Sequence, residues 1–101
     1  MHALTGYLDF RPEERDETVT ALEAVTILSR GDAGCVDYWW SEDLEQPGRF
    51  RFFECWESEA AFDAHQAQPY EHEFMAEHVS RIVGVDAHVF AVSDRRSLSG
   101  T

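Results

Sequence analysis

The sequence predicts an α+β domain, one antiparallel sheet with helices packed on one face. Three observations carry this expectation. Four segments are rich in β-branched and aromatic residues, or alternate apolar with polar, as strands do. Three segments start at helix-opening residues and carry apolar side chains at helical spacing. The two kinds follow one another as β-α-β-β-α-α-β, with the central strands joined by a short polar loop. The 101 residues suit one domain, over residues 1–93, with a polar and mobile tail over residues 94–101.

His2 to Phe10 reads as the first strand, with Leu4, Gly6, Leu8 and Phe10 on one side and Ala3, Thr5, Tyr7 and Asp9 on the other. Pro12 suits a first helical position, and the acidic residues after it suit the positive end of a helix dipole. Thr18, Ala21, Leu22, Val25 and Leu28 then recur at helical spacing, to an exit near Arg30-Gly31-Asp32. Cys35 to Ser41 and Arg49 to Glu57 form a hairpin around the turn residues Asp43 to Gly48. Centred near Glu45, it pairs Cys35 with Cys55, Tyr38 with Phe52 and Trp40 with Phe50. Ser58 is an N-cap for a helix that stops near Pro69. Pro69 opens a further helix carrying Tyr70, Phe74, Met75, His78, Val79 and Ile82, which Gly84 closes. Val85 to Val92 is the last strand. This order is the split βαβ plan of ferredoxin-like domains.

Composition bounds the partners. Twenty Asp and Glu against eight Lys and Arg give a net charge of −12. That argues against nucleic acid and against an anionic membrane surface, both of which need a basic patch. No run of roughly 18 apolar residues is present to span a bilayer. MHALTGYLDF lacks the basic flank and apolar stretch of a signal peptide, so a cytoplasmic location with Cys35 and Cys55 as free thiols is expected. Apolar residues make up 44% of the chain and aromatic ones 13%, a large load for a small monomer. Both faces of the central hairpin carry bulky side chains: Phe50, Phe52 and Trp56 on one, Phe53 and Cys55 on the other. A homodimer packed sheet to sheet is the expected cover.

Gly34-Cys35, the hairpin, then Phe53-Glu54-Cys55-Trp56-Glu57-Ser58-Glu59-Ala60-Ala61-Phe62, His65 and Phe74 resemble the antibiotic biosynthesis monooxygenase family over roughly residues 3 to 92. The resemblance implies a dimeric α+β barrel with a pocket in each subunit between sheet and helices. It implies a cofactor-independent monooxygenase acting on a small hydroxylated aromatic or quinol, with His65 as base or orienting donor. Trp56, Phe62, Tyr70 and Phe74 would be aromatic walls, and Phe52, Glu54 and Tyr38 would point the same way. No metal, haem or flavin is implied. The haem-degrading branch of the family has an Asn, a Trp and a His where this chain has Gly6, His65 and Met75. The polyketide-oxidising branch has a Tyr where this chain has Phe62. Two other readings stay open: a non-enzymatic dimer that binds a small ligand or serves assembly, and an isomerase using the same pocket.

The remaining candidates are weaker. His72 and His78, six apart, do not share a helix face and match no metal-ligand spacing. The runs Glu13 to Glu17 and Glu71 to Glu77 read as solvated faces. No Gly-rich phosphate loop, Cys-x-x-Cys motif or Ser-His-Asp order is present.

Overall fold

In the computed structural model, which describes residues 1–100, four strands form one antiparallel sheet in the order β2-β3-β1-β4. β1 is His2–Phe10, β2 Cys35–Glu42, β3 Arg49–Trp56 and β4 Ile82–Ala91. Three helices accompany them: α1 (Arg15–Arg30), α2 (Glu59–Gln66) and α3 (Pro69–His78). β1 sits centrally, antiparallel to β3 on one side and to β4 on the other. The α+β, ferredoxin-like architecture is as the sequence predicts.

Alternation along the strands decides which side each residue takes. Phe10 and Phe50 meet Leu22 and Val25 of α1 in a buried cluster, edged by Leu8, Trp40, Tyr70, Phe74 and Ile82. Burial of each such side chain stabilises the fold by about 2 kcal/mol. A second buried group forms where the C-terminal end of β3 meets α2: Trp56 lies flat against His65. Ser58 caps α2, its hydroxyl accepting from the Ala61 amide at 3.1 Å. That cap fixes the direction in which α2 leaves the strand and so aims His65 back at the sheet.

Three expectations need correction. The hairpin turns one position later than a centre at Glu45: Tyr38 pairs with Glu54, Trp39 with Phe53 and Trp40 with Phe52. The cause is Asp43, whose carboxylate accepts from the amides of Glu45 and Gln46 and pulls the turn onto Gln46. Because partners move by two residues along the opposite strand, every side chain keeps its face. An irregularity between Cys35 and Asp37 then sets Cys35 opposite Trp56 and Asp37 opposite Cys55, so the two cysteines, both free thiols, are not cross-strand partners.

The other corrections concern helix ends. Pro12 opens a 3-10 turn, and the α-helix proper starts at Arg15. Gly84 does not close α3: the helix ends at His78, a 3-10 turn spans Val79–Arg81, and β4 starts at Ile82, three residues before Val85. Arg81 drives this early ending. Its guanidinium is held by the Glu14 carboxylate at 3.2 Å, by the Thr18 hydroxyl at 2.8 Å and by His78 at 2.8 Å. Gly84 then lies in the sheet opposite Asp9, where an added Cβ would come within 2.8 Å of the Asp9 carboxylate.

The first residues after β4 do not hang free. The amino terminus donates to the Val92 carbonyl, and the Val92 amide donates to the Met1 carbonyl. Ser93 to Arg96 line a groove with Ala3, Phe53, Cys55 and Phe90 on the sheet face away from the helices. The last residue of the tail, Thr101, lies outside the described residues. Among the described residues, no helix is long and apolar enough to cross a membrane.

Candidate functional site

His65 is the centre of a buried polar group in a chain end of the core that is otherwise aromatic. Its ring is only 2% exposed and stacks on Trp56, with centroids 4.5 Å apart and planes inclined by 28°. Nδ1 lies 2.8 Å from the Asp32 carboxylate, so an Nδ1–H donating there leaves Nε2 facing the sheet side. Nε2 stands 3.5 Å from Glu71 and 3.9 Å from Glu54. Asp32 is held from three directions: it also accepts from the Gln68 amide at 3.0 Å and from the Tyr70 hydroxyl. Tyr70 lies 3.1 Å from Nδ1 as well.

Five backbone segments contribute, and each delivers its group for a local reason. Asp32 sits just past the end of α1, where Gly31 and Asp32 donate their amides back to Leu28 and Ser29. Glu54 and Trp56 share a face of β3 by strand alternation, and the Trp56 indole donates to the Glu54 carboxylate at 3.1 Å. Tyr38 comes in from β2 opposite Glu54, its ring edge-on to His65 at 6.0 Å. Tyr70 and Glu71 follow Pro69 in the first turn of α3.

Burial governs the electrostatics. Desolvation, only partly offset by the Trp56 hydrogen bond, pushes the Glu54 carboxyl up to about 7. Glu71 is pushed the same way by burial and by its carboxylate neighbours, with His65 opposing. Burial raises both tyrosines, Tyr38 further under the charge of Glu54 and Tyr70 further by its bond to Asp32. The group thus holds three carboxyls around one imidazole, and one of them, Glu54, can keep or release a proton near neutrality. Among the described residues, no set of three or more His, Cys, Asp and Glu is arranged to hold a metal ion.

An open apolar surface lies beyond the group. Leu4 pairs with Glu54 on one side and Val89 on the other, and Leu8 pairs with Val85. All these side chains therefore take the helix-facing side of the sheet. Yet Val85 and Val89 are 65% and 59% exposed, so the helices leave the β4 half of that side uncovered. Met75 of α3 and Val79 at the start of the following 3-10 turn come four and eight residues after Glu71 and are also exposed. The row from Glu54 through Leu4 to Val89 thus runs from a buried carboxyl to an open apolar wall.

The residues singled out in the sequence fall into two sets. Trp56, Phe62, Tyr70 and Tyr38 surround His65, with Phe62 also tilted against His2, ring centroids 5.0 Å apart. Phe52 packs instead at a tilt against Trp40, and Phe74 faces α1 and His78. Tyr70 and Phe74 line a different groove, of about 670 Å³, between α1 and α3. Of the other histidines, His72 is exposed, and His88 is exposed beside Asp86.

Two members of the site were missed. Glu71 is not part of a solvated face: it is 8% exposed and aimed at His65. Its position one residue after Tyr70 and six after His65 was the available signal. Asp32 was read only as a helix exit. Its approach to His65 across 33 residues has no local signature.

Comparisons with known proteins follow the same lines. A sequence model of the antibiotic biosynthesis monooxygenase family matches residues 1–77. An uncharacterized protein of Synechocystis is 33% identical over 72 residues; the match takes in 71% of this chain and 49% of the relative, so it spans about half of that protein's length. A Mycobacterium tuberculosis protein of known structure superposes with a TM-score of 0.84 at 26% identity, covering 95% of this chain and 98% of its own. A Deinococcus radiodurans protein, provisionally assigned to the antibiotic biosynthesis monooxygenases, superposes with a TM-score of 0.87, covering 97% and 98%. At 23% identity that last likeness is one of fold.

Proposed function

The chain belongs to the antibiotic biosynthesis monooxygenase family, and on that premise we propose that it oxygenates a small hydroxylated aromatic or quinol without metal, haem or flavin. Membership and fold support a monooxygenase-like role in general terms; the substrate class and the residue roles are our reading. The observation that carries it is the buried Asp32–His65 pair, its imidazole stacked on Trp56 and set among Glu54 and Glu71, with the open apolar surface of β4 beyond Glu54 and Leu4.

Oxygenation without a cofactor requires the substrate to supply all four electrons that reduce dioxygen. A phenol reacting with one dioxygen gives a quinone and one water: one oxygen atom enters the ring and the other leaves as water. The protein's part is to accept the phenolic proton, so that the anion can pass an electron to oxygen, and to keep the encounter dry. An imidazole oriented by a carboxylate is suited to hold that proton. Trp56 and Phe62 offer flat faces for a second ring.

The test is oxygen uptake by metal-free protein over a panel of quinols and polyphenols, with His65→Ala and His65→Asn alongside. Uptake is expected with at least one substrate, falling by about a hundredfold or more in both variants, the usual worth of an acid–base group. Undiminished uptake in correctly folded variants would remove His65 from the chemistry. The close packing around His65 favours the second reading, a non-enzymatic binding or assembly module, and no uptake with any substrate would favour it. Turnover without oxygen uptake would instead identify an isomerase.

A further inference from the structure

We propose that Glu54, rather than His65, is the residue that receives the substrate's phenolic hydroxyl, and that it confines the site to neutral phenols and quinols bearing no acid group. The proposal rests on the functional reading above and deepens it.

Placement is the first reason. His65 has Trp56 against one face, Asp32 on Nδ1 and two carboxyls beyond Nε2. A phenol approaching across the uncovered β4 half of the helix-facing side meets Val85, Val89 and Leu4 before it reaches that ring. The first polar side chain in the same strand row is Glu54, directly opposite Leu4. One of its oxygens accepts from the Trp56 indole and lies 3.9 Å from Nε2 of His65. The carboxyl therefore stands between that open apolar surface and the imidazole, able to take a proton from the substrate oxygen and pass it towards His65 and Asp32. No redox change occurs at Glu54: an O–H bond breaks on the substrate and one forms on the carboxylate.

Charge is the second reason. The groups facing Glu54 are Tyr38 and Cys35 of β2, Trp56 of β3, His65 of α2 and Glu71 of α3, with Tyr70 of α3 and Asp32 from the α1–β2 connection on the Nδ1 side of the imidazole. Three of the assembled groups are carboxyls and only one, His65, can become cationic. All eight basic residues of the chain are arginines. Arg11, Arg15, Arg49, Arg51, Arg81 and Arg96 form ion pairs elsewhere. Arg30 donates to the Tyr38 carbonyl, and Arg95 lines the groove on the sheet face away from the helices. A carboxylated substrate would thus bring a further negative charge into a poorly hydrated group that has no guanidinium or ammonium to receive it. A neutral phenol brings only a donor, which is what Glu54 lacks on its second oxygen's side. The raised Glu54 carboxyl fits a group that exchanges a proton near neutral pH.

The test separates binding from turnover. Binding of naphthohydroquinone and of a carboxylated naphthohydroquinone would be measured calorimetrically without oxygen, for wild type and Glu54→Gln, across about pH 6 to 8. The wild type is expected to prefer the neutral quinol by tenfold or more, with the preference growing as pH rises. In Glu54→Gln the preference should shrink severalfold and lose its pH dependence, while the indole of Trp56 keeps an acceptor. Equal binding of the two quinols, an unchanged preference in the variant, or no binding of either would overturn the proposal. The expected discrimination without oxygen uptake would leave the proposal standing and defeat the monooxygenase reading instead.

Discussion

Burying Glu54 sets a cost that the fold carries at neutral and alkaline pH. Its carboxyl sits at about 7 in the fold against an ordinary 4.5, a difference of about 3 kcal/mol at roughly 1.4 kcal/mol per tenfold. The folded state favours the protonated acid. The stabilisation is therefore fully present below the ordinary carboxylate value and is lost as pH rises through about 7. Glu71 is raised in the same direction and adds to the slope. Glutamine keeps the shape and the acceptor for Trp56 but cannot ionise. Glu54→Gln is thus expected to match wild type in thermal stability near pH 4 and to exceed it near pH 8. Melting curves at the two pH values decide the matter: parallel pH dependence in both proteins would show that Glu54 is well solvated in the fold.

Elements answer to local chemistry that pattern alone does not carry. Gly48 shows this at the end of the hairpin loop. Its φ is +83°, and an added Cβ would stand 2.2 Å from the Phe10 carbonyl oxygen. The Gly48 carbonyl meanwhile accepts from the Phe10 amide at 2.8 Å, tying the loop to the end of β1. Gly48→Ala is expected to cost more than about 1 kcal/mol, read as a lower urea midpoint with little change in slope; a loss within error would mean the loop relaxes freely. The same loop explains what the sequence left illegible. Alternation of Leu8 and Phe10 with Tyr7 and Asp9 sufficed to place β1 to the residue. The hairpin register instead depended on where one side chain, Asp43, finds its amides, and the start of β4 on the bonds that draw Arg81 away from a continuing helix. Faces were legible because their period is set by the backbone; ends and register were not, because single side chains settle them. The site divides in the same way. His65 and Trp56 stand in a recognisable run, whereas Asp32 and Glu71 join them through tertiary packing.

At the scale of the whole molecule, the helices cover one side of the sheet as far as β1 and leave the other side with an uneven apolar surface. Trp39 stacks on Phe53 with centroids 5.9 Å apart and remains exposed at its edge. Phe90, on β4, pairs with Ala3 and is 51% exposed. Between them lies a groove of about 630 Å³ with Ala3, Phe53 and Cys55 among its walls. Arg49, by contrast, lies over the Tyr7 ring and pairs with Asp9, which gives the other end of this face a polar border. An apolar centre with a charged rim is the layout of a protein interface, and a two-fold axis through the sheet would bring two such centres together. A stable dimer needs about 800 Å² from each partner, an area that a four-stranded sheet of this length can supply. We therefore expect sedimentation equilibrium to give twice the 11.6 kDa chain mass at micromolar concentration. Phe90→Asp should shift the population to monomer with its secondary structure intact, since the side chain is half exposed in the single chain and contributes little to its core. A wild type that sediments as a monomer would leave the aromatic load of this face unexplained by self-association. A dimer indifferent to Phe90→Asp would move the interface off the sheet, towards the groove between α1 and α3.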